Sequence, residues 1–156
     1  MQTVTLYGSK LRLHLPEGFS QAQESEAAKV FPYRERPQII YASAGFSRYL
    51  TFSLLDKKLG ERETIKAATE LRKLIWSLHP NSLLSNAGAI RFGNLSCCGF
   101  CFLTGAGETQ LFNTMFAASF DGKMLLGTCG CGMDDEEGKA LLKNLLAKVH
   151  IVRSHD

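Results

Sequence analysis

Five cysteines offer more chemistry than any other residues in the chain, and they fall into two groups. Cys97, Cys98 and Cys101 sit in LSCCGFC, and Cys129 and Cys131 in GTCGCG. Three chemistries draw on such groups. Cys98 and Cys101 have the Cys-x-x-Cys spacing of a zinc half-site, which works when a turn converges the two sulfurs. The two groups are candidates for a disulfide. Two residues separate Cys131 from the run Asp134-Asp135-Glu136-Glu137, and the dipole of a helix starting there could lower a thiol pKa. The same four carboxylates oppose a thiolate.

The surrounding elements decide among these. Gln110 to Phe120 and Lys123 to Cys131 read as strands, and Asp121-Gly122 between them is a type I′ hairpin turn, since both residues tolerate positive φ. A two-residue turn pairs Phe120 with Lys123, hence Phe112 with Cys131 and Thr114 with Cys129. The strand Phe92 to Leu103 should pair with the other edge of Gln110 to Phe120. The two cysteine groups then stand two strands apart, about 9.5 Å, beyond the ~7 Å that a disulfide spans. In a strand, residues three apart point to opposite faces, which separates Cys98 from Cys101. Buried reduced thiols are the expectation, with Cys129 and Cys131 on the face of Leu125, Phe112 and Phe116.

The rest of the chain supplies a scaffold. Thr3 to Tyr7 and Lys10 to Leu15 form a hairpin, with Leu11, Leu13 and Leu15 on one face and Lys10, Arg12 and His14 on the other. Gln38 to Ala42 and Tyr49 to Leu55 read as strands. Glu61 to Leu78 is a helix with Ile65, Ala68, Leu71, Ile75 and Leu78 at helical spacing and Pro80 beyond its end. Trp76 on this helix reads as core or rim. A second helix starts at the acidic run, with Asp134 as N-cap, and carries Leu141, Leu142, Leu145, Leu146 and Val149. The expected fold is α+β: one domain over 1–156, with an antiparallel sheet of about six to seven strands sandwiched by helices (α/β/α), in the order ββββ-α-βββ-α.

Catalytic motifs do not emerge. His14, His79, His150 and His155 keep no catalytic spacing with Ser, Cys or Asp. GCGMDD lacks the third glycine of a dinucleotide fingerprint, and its carboxylates repel phosphate. GAG at Gly105 to Gly107 reads as a hairpin loop, and the acidic run lacks calcium-loop spacing. FPYRERP brings Phe31, Tyr33, Arg34 and Arg36 together, the aromatic and guanidinium mixture of interface hot spots, and Arg48 and Tyr49 fall near it. These six are the candidate binding residues.

With 156 residues, 45% hydrophobic, 21% charged and net +3, the chain has ordinary globular composition without a basic stripe for nucleic acid. No apolar run reaches the ~20 residues of a membrane helix. The opening MQTVTLYGSKLRLHL lacks a signal-peptide pattern, and an odd cysteine count rules out a complete internal disulfide set, so a reducing cytoplasm is expected.

The strand LFNTMF, the hairpin FDGKMLLGTCGC, the helix ending LLAKVHI and the early LRLHLPEGF together resemble the PsbP-like α/β/α sandwich superfamily. That group includes the Ran-binding factor Mog and bacterial DcrB-like proteins. The final helix departs from it in lacking a tryptophan over Lys139 to Leu142. The resemblance implies a scaffold that binds proteins, with no shared catalytic residues and no cofactor. The expected function is a non-enzymatic cytoplasmic adaptor or chaperone-like module, monomer or homodimer, with an unidentified protein partner, no nucleic acid and no membrane. It would engage that partner through a sheet edge or the Phe31 to Tyr49 loops. The alternative is a thiol- or metal-dependent protein using Cys98, Cys101 and Cys131.

Overall fold

Asp121 and Gly122 take φ of 51° and 75°, the paired left-handed conformations of a type I′ turn. That turn sets the register of the central hairpin, Leu111–Phe120 (β8) against Lys123–Gly132 (β9). Phe120 pairs with Lys123, Thr114 with Cys129 and Phe112 with Cys131, as the two-residue loop requires.

The computed structural model describes residues 2–22, 37–105 and 110–152. In chain order the elements are β1 (Gln2–Leu6), β2 (Leu11–Leu15), β3 (Ser20–Gln21), β4 (Ile39–Ala42) and β5 (Arg48–Lys58), then helix α1 (Thr64–Leu78). They continue with β6 (Gly88–Ala89), β7 (Cys97–Thr104), the β8–β9 hairpin, helix α2 (Glu136–Ala147) and β10 (His150–Ile151). Strands β3-β4-β5-β9-β8-β7-β6 make one seven-stranded sheet, with every pairing antiparallel. The longer elements follow the expected order ββββ-α-βββ-α. No helix among the described residues is long and apolar enough to cross a membrane.

The N-terminal hairpin forms as read, with Leu11, Leu13 and Leu15 fully buried and Arg12 and His14 exposed. It does not join the large sheet. With β10 it makes a separate three-stranded sheet, order β1-β2-β10. That small sheet and α2 cover one face of the large sheet, around Leu50, Phe52, Phe116, Leu125 and the α2 residues Leu142, Leu145 and Leu146. Phe92 seals this core: its ring lies 6.0 Å from Phe52 and 5.2 Å from Phe116. Burying each such ring contributes about 1.5–3 kcal/mol.

Helix α1 covers part of the opposite face through Ala67, Leu71 and Ile75, which meet Ala117, Met124, Phe100 and Phe102. The predicted apolar stripe is turned from the observed one. Of the predicted stripe Ala68 and Ile75 are buried and Leu71 packs against the sheet, but Ile65 is 46% and Leu78 58% exposed, and Thr64 and Ala67 are buried instead. Small residues bring the helix axis close to β7, where the Thr64 hydroxyl meets Ser96 and the Cys98 sulfur. The larger apolar residues are left on the flanks, and Trp76, 57% exposed, lies at the rim.

Candidate functional site

The period of two in β5 and β9 sends alternate side chains to two chemically different faces. Arg48, Leu50 and Phe52 share a row with Cys131, Cys129 and Gly127, while Tyr49 and Thr51 lie level with Gly130 and Thr128. Of the six candidate binding residues, Phe31, Tyr33, Arg34 and Arg36 lie outside the described residues. Arg48 and Tyr49 are neighbours in sequence that point to opposite sides of the sheet.

On the α2 side, Arg48 forms two hydrogen bonds to Asp135, Nε to Oδ2 at 2.8 Å and Nη2 to Oδ1 at 2.9 Å. Asp135, rather than the expected Asp134, caps α2: its Oδ1 accepts from the Gly138 amide at 2.9 Å. The Arg48 hydrogen bonds hold the Asp135 carboxyl below the usual carboxylate range. A Cβ at Gly138 would stand 2.2 Å from Asp135 Oδ2 and 2.8 Å from Arg48 Nε, so the cap requires glycine there.

The cysteines lie where the strand pattern puts them. All five are unbridged. Cys129 and Cys131 are buried in the α2-side core with Leu125 and Phe116. Cys97 is buried on that face too, and Cys101 stands level with Thr114 and Cys129, partly exposed, its sulfur 3.4 Å from Thr114 Oγ1. Cys98 points to the α1 side, and its sulfur accepts from Thr64 Oγ1 at 3.4 Å. The strand β7 runs through both residues without a bulge, so Cys98 and Cys101 do not converge on one ion. Among the described residues no group of three or more His, Cys, Asp or Glu is arranged to hold a metal. Burial pushes the thiols of Cys97 and Cys129 up to about 12. For Cys131, burial first and Asp135 second raise the thiol pKa, so the helix start does not activate it.

On the α1 side, Tyr49 reaches across the sheet and its hydroxyl donates to Asn113 Oδ1. The Asn113 amide nitrogen donates to Phe102 O at 3.3 Å and to Thr104 Oγ1 at 3.0 Å, fastening β7, β8 and β5 together. A Cβ at Gly130 would lie 2.6 Å from the Tyr49 ring and 2.9 Å from Asn113 Oδ1. One glycine of GTCGCG thus makes room for this bridge.

The bridge floors a groove of about 610 Å³ between α1 and the β5–β9–β8 part of the sheet. Thr51, Leu126 and Thr128 continue the floor, and Leu74 and Leu78 of α1 form the wall. These two leucines are 54% and 58% exposed. Pro37, which ends the FPYRERP stretch, and Gln38 stand at the border. The Gln38 side chain pairs with the backbone of β5, donating to Leu54 O at 3.2 Å and accepting from Leu54 N at 2.9 Å. The sequence reading missed this groove, because it assigned Leu78 to the core and passed over Leu74. The signal was an apolar set on α1 too wide for one face: Ile65, Leu71, Leu74, Ile75, Trp76 and Leu78.

The arrangement of one large antiparallel sheet, a small sheet and two helices is shared with solved structures of low sequence similarity. No protein-family model matches the chain, and no curated protein does. The cyanobacterial PsbP (CyanoP) of Synechocystis sp. PCC 6803 superposes with a TM-score of 0.64 at 13% identity, over 97% of this chain and 92% of that one. The Saccharomyces cerevisiae Ran-binding protein Mog1p gives 0.59 at 12% identity, over 99% and 96%. A Bacteroides thetaiotaomicron protein gives 0.60 at 8% identity, over 99% of this chain and 49% of that one. The fold is therefore PsbP-like. At these identities the likeness is one of architecture.

Proposed function

We propose that this chain is a non-enzymatic protein-binding module, and that its partner docks an apolar segment into the groove between α1 and the β5–β9–β8 surface. The carrying observation is the exposure of Leu74 and Leu78, one helical turn apart, above a floor of Tyr49, Thr51, Leu126 and Thr128. Paired exposed leucines beside a groove are what an amphipathic helix or extended apolar peptide covers. Pro37 lines the groove, and Tyr49 lies in its floor; Phe31, Tyr33, Arg34 and Arg36, outside the described residues, stay candidate binding residues on their residue types alone. Arg48, on the other face, acts on it only through the fold.

The yeast structural neighbour named for Ran binding supports a protein partner on this architecture. Strand addition at an edge of the large sheet is the weaker version, since its outer strands, β3 and β6, have only two residues each and offer little backbone for pairing. A cytoplasmic location, a whole chain acting as one domain and a monomer or homodimer complete the reading.

The test compares the parent with a Leu74→Asp/Leu78→Asp variant, both side chains being exposed, after equal melting is verified. Affinity enrichment from host lysate should recover a protein that the parent binds at micromolar affinity or better and the variant binds at least tenfold more weakly. Light scattering decides whether that partner is a second copy. No enrichment by the parent, or equal enrichment by the variant, refutes the groove as the docking site.

A further inference from the structure

A second cleft, of about 770 Å³, lies on the opposite side of the sheet, between α2 and the β6–β7 end. Its size is within the ~300–1,000 Å³ typical of small-molecule sites. The floor is apolar: Phe112, Cys129, Leu142 and Leu146, with Cys101 and Thr114 towards the β7 end. Ala140 and Ala147, seven positions apart on α2, line the cleft with nothing longer than a methyl group.

The mouth is charged with one sign in excess. Arg91, Lys139 and Lys143 line it against the single carboxylate of Glu136. Lys139 is held in place, its Nζ 2.9 Å from Glu136 Oε1 and 4.8 Å from the centroid of the Phe112 ring. Glu136 therefore offsets Lys139 and leaves the positive charge of Arg91 and Lys143 facing the opening. An apolar floor under a cationic mouth is complementary to a molecule with the reverse arrangement, an apolar body ending in one anionic group.

We infer that the α2–β7 cleft binds a small amphiphilic anion, its hydrocarbon part over Phe112 and Leu142 and its carboxylate or phosphate between Arg91 and Lys143. This site is independent of the groove beside Leu74 and Leu78, which is on the other face.

Decanoate is the probe, titrated into the full chain at low salt and followed by amide chemical shifts, with 1-decanol and decyltrimethylammonium as neutral and cationic controls. Saturable submillimolar binding is expected, with shifts centred on Cys101, Thr114, Lys139 and Ala140. Decanol should bind at least tenfold more weakly and the ammonium not measurably. Arg91→Gln/Lys143→Gln, both on exposed side chains, should weaken decanoate at least tenfold and leave decanol unchanged. Decanoate should also slow alkylation of Cys101 in the unmodified protein, a readout that needs no variant. The inference fails if decanoate does not saturate, if the ammonium binds as well, if the double variant is unaffected, if Cys101 is not protected, or if the shifts map to the Leu74–Leu78 groove. A phosphate-headed analogue, dodecyl phosphate, titrated in parallel tells which head group the site prefers.

Discussion

Arg48 and Asp135, 87 positions apart, are joined by two parallel hydrogen bonds of 2.8 and 2.9 Å, tying the first residue of β5 to the N-cap of α2. The same carboxylate accepts from the Gly138 amide, so one side chain starts the helix and fixes where the helix starts relative to the sheet. Everything α2 covers, Cys129 and Cys131 included, depends on that placement. Asp135→Ala removes the cap and leaves a part-buried guanidinium unpaired; it should destabilise by about 1–2 kcal/mol by urea denaturation at pH 7. Gly138→Ala should also destabilise, although alanine is the better helix former by about 1 kcal/mol, because its Cβ occupies the carboxylate's position. A Gly138→Ala protein more stable than the parent refutes this account of the cap.

The same pair makes an acid-side prediction. The folded Asp135 pKa lies below its unfolded value, so its contribution is complete above about pH 4 and is lost as pH falls through the folded value. Asp135→Asn should therefore lose less stability between pH 4 and pH 2 than the parent does. Superimposable pH profiles for the two proteins defeat the prediction.

The Tyr49–Asn113 bridge predicts a graded response. Tyr49→Phe leaves the buried Asn113 Oδ1 without its donor and should cost about 1–2 kcal/mol. Asn113→Ala removes the links to Phe102 O and Thr104 Oγ1 as well and should cost more. Both are read from denaturant midpoints. An Asn113→Ala protein as stable as the parent is incompatible with the bridge.

The two halves of the chain differ in how far local pattern constrains them. Asp121-Gly122 fixes φ at two residues, and a two-residue loop leaves one register for twenty more, so the pairing of Thr114 with Cys129 and the shared face of Cys129 and Cys131 followed from the turn and the period of two. The hairpin at Leu11 to Leu15 showed equally clear alternation, yet alternation says that one face is buried and not which surface buries it. Packing against the large sheet, rather than pairing into it, is decided by non-local contacts with Leu50, Phe52 and Leu125. Helix α1 misled for a related reason. Its stripe was chosen by hydropathy and was right at Ala68 and Ile75, while contact with the sheet also selected the small Thr64 and Ala67 in place of Ile65 and Leu78. The groove followed from that rotation, since the displaced Leu78 joins Leu74 in solvent. Arg48 and Tyr49 were singled out for their types, and period two alone places them on different faces.

Thiol chemistry gives the last prediction. Cys101 is the one cysteine with partial exposure, and the other four are buried. Iodoacetamide at pH 8 should therefore give one fast adduct, on Cys101, with the rest modified only on unfolding. Burial pushes the Cys129 and Cys97 thiols up to about 12 in the folded chain, whereas unfolded thiols ionise near 8.5. The folded pKa being the higher, these thiols contribute stability in full below pH 8.5 and lose it as pH rises towards 12. Cys129→Ala should flatten that alkaline decline. Cys129→Ser puts a hydroxyl in an apolar core and should cost about 1–3 kcal/mol at pH 7, more than alanine does. Fast alkylation of Cys129 in the folded protein, or a serine variant that melts with the parent, shows that Cys129 is not buried as the structure has it.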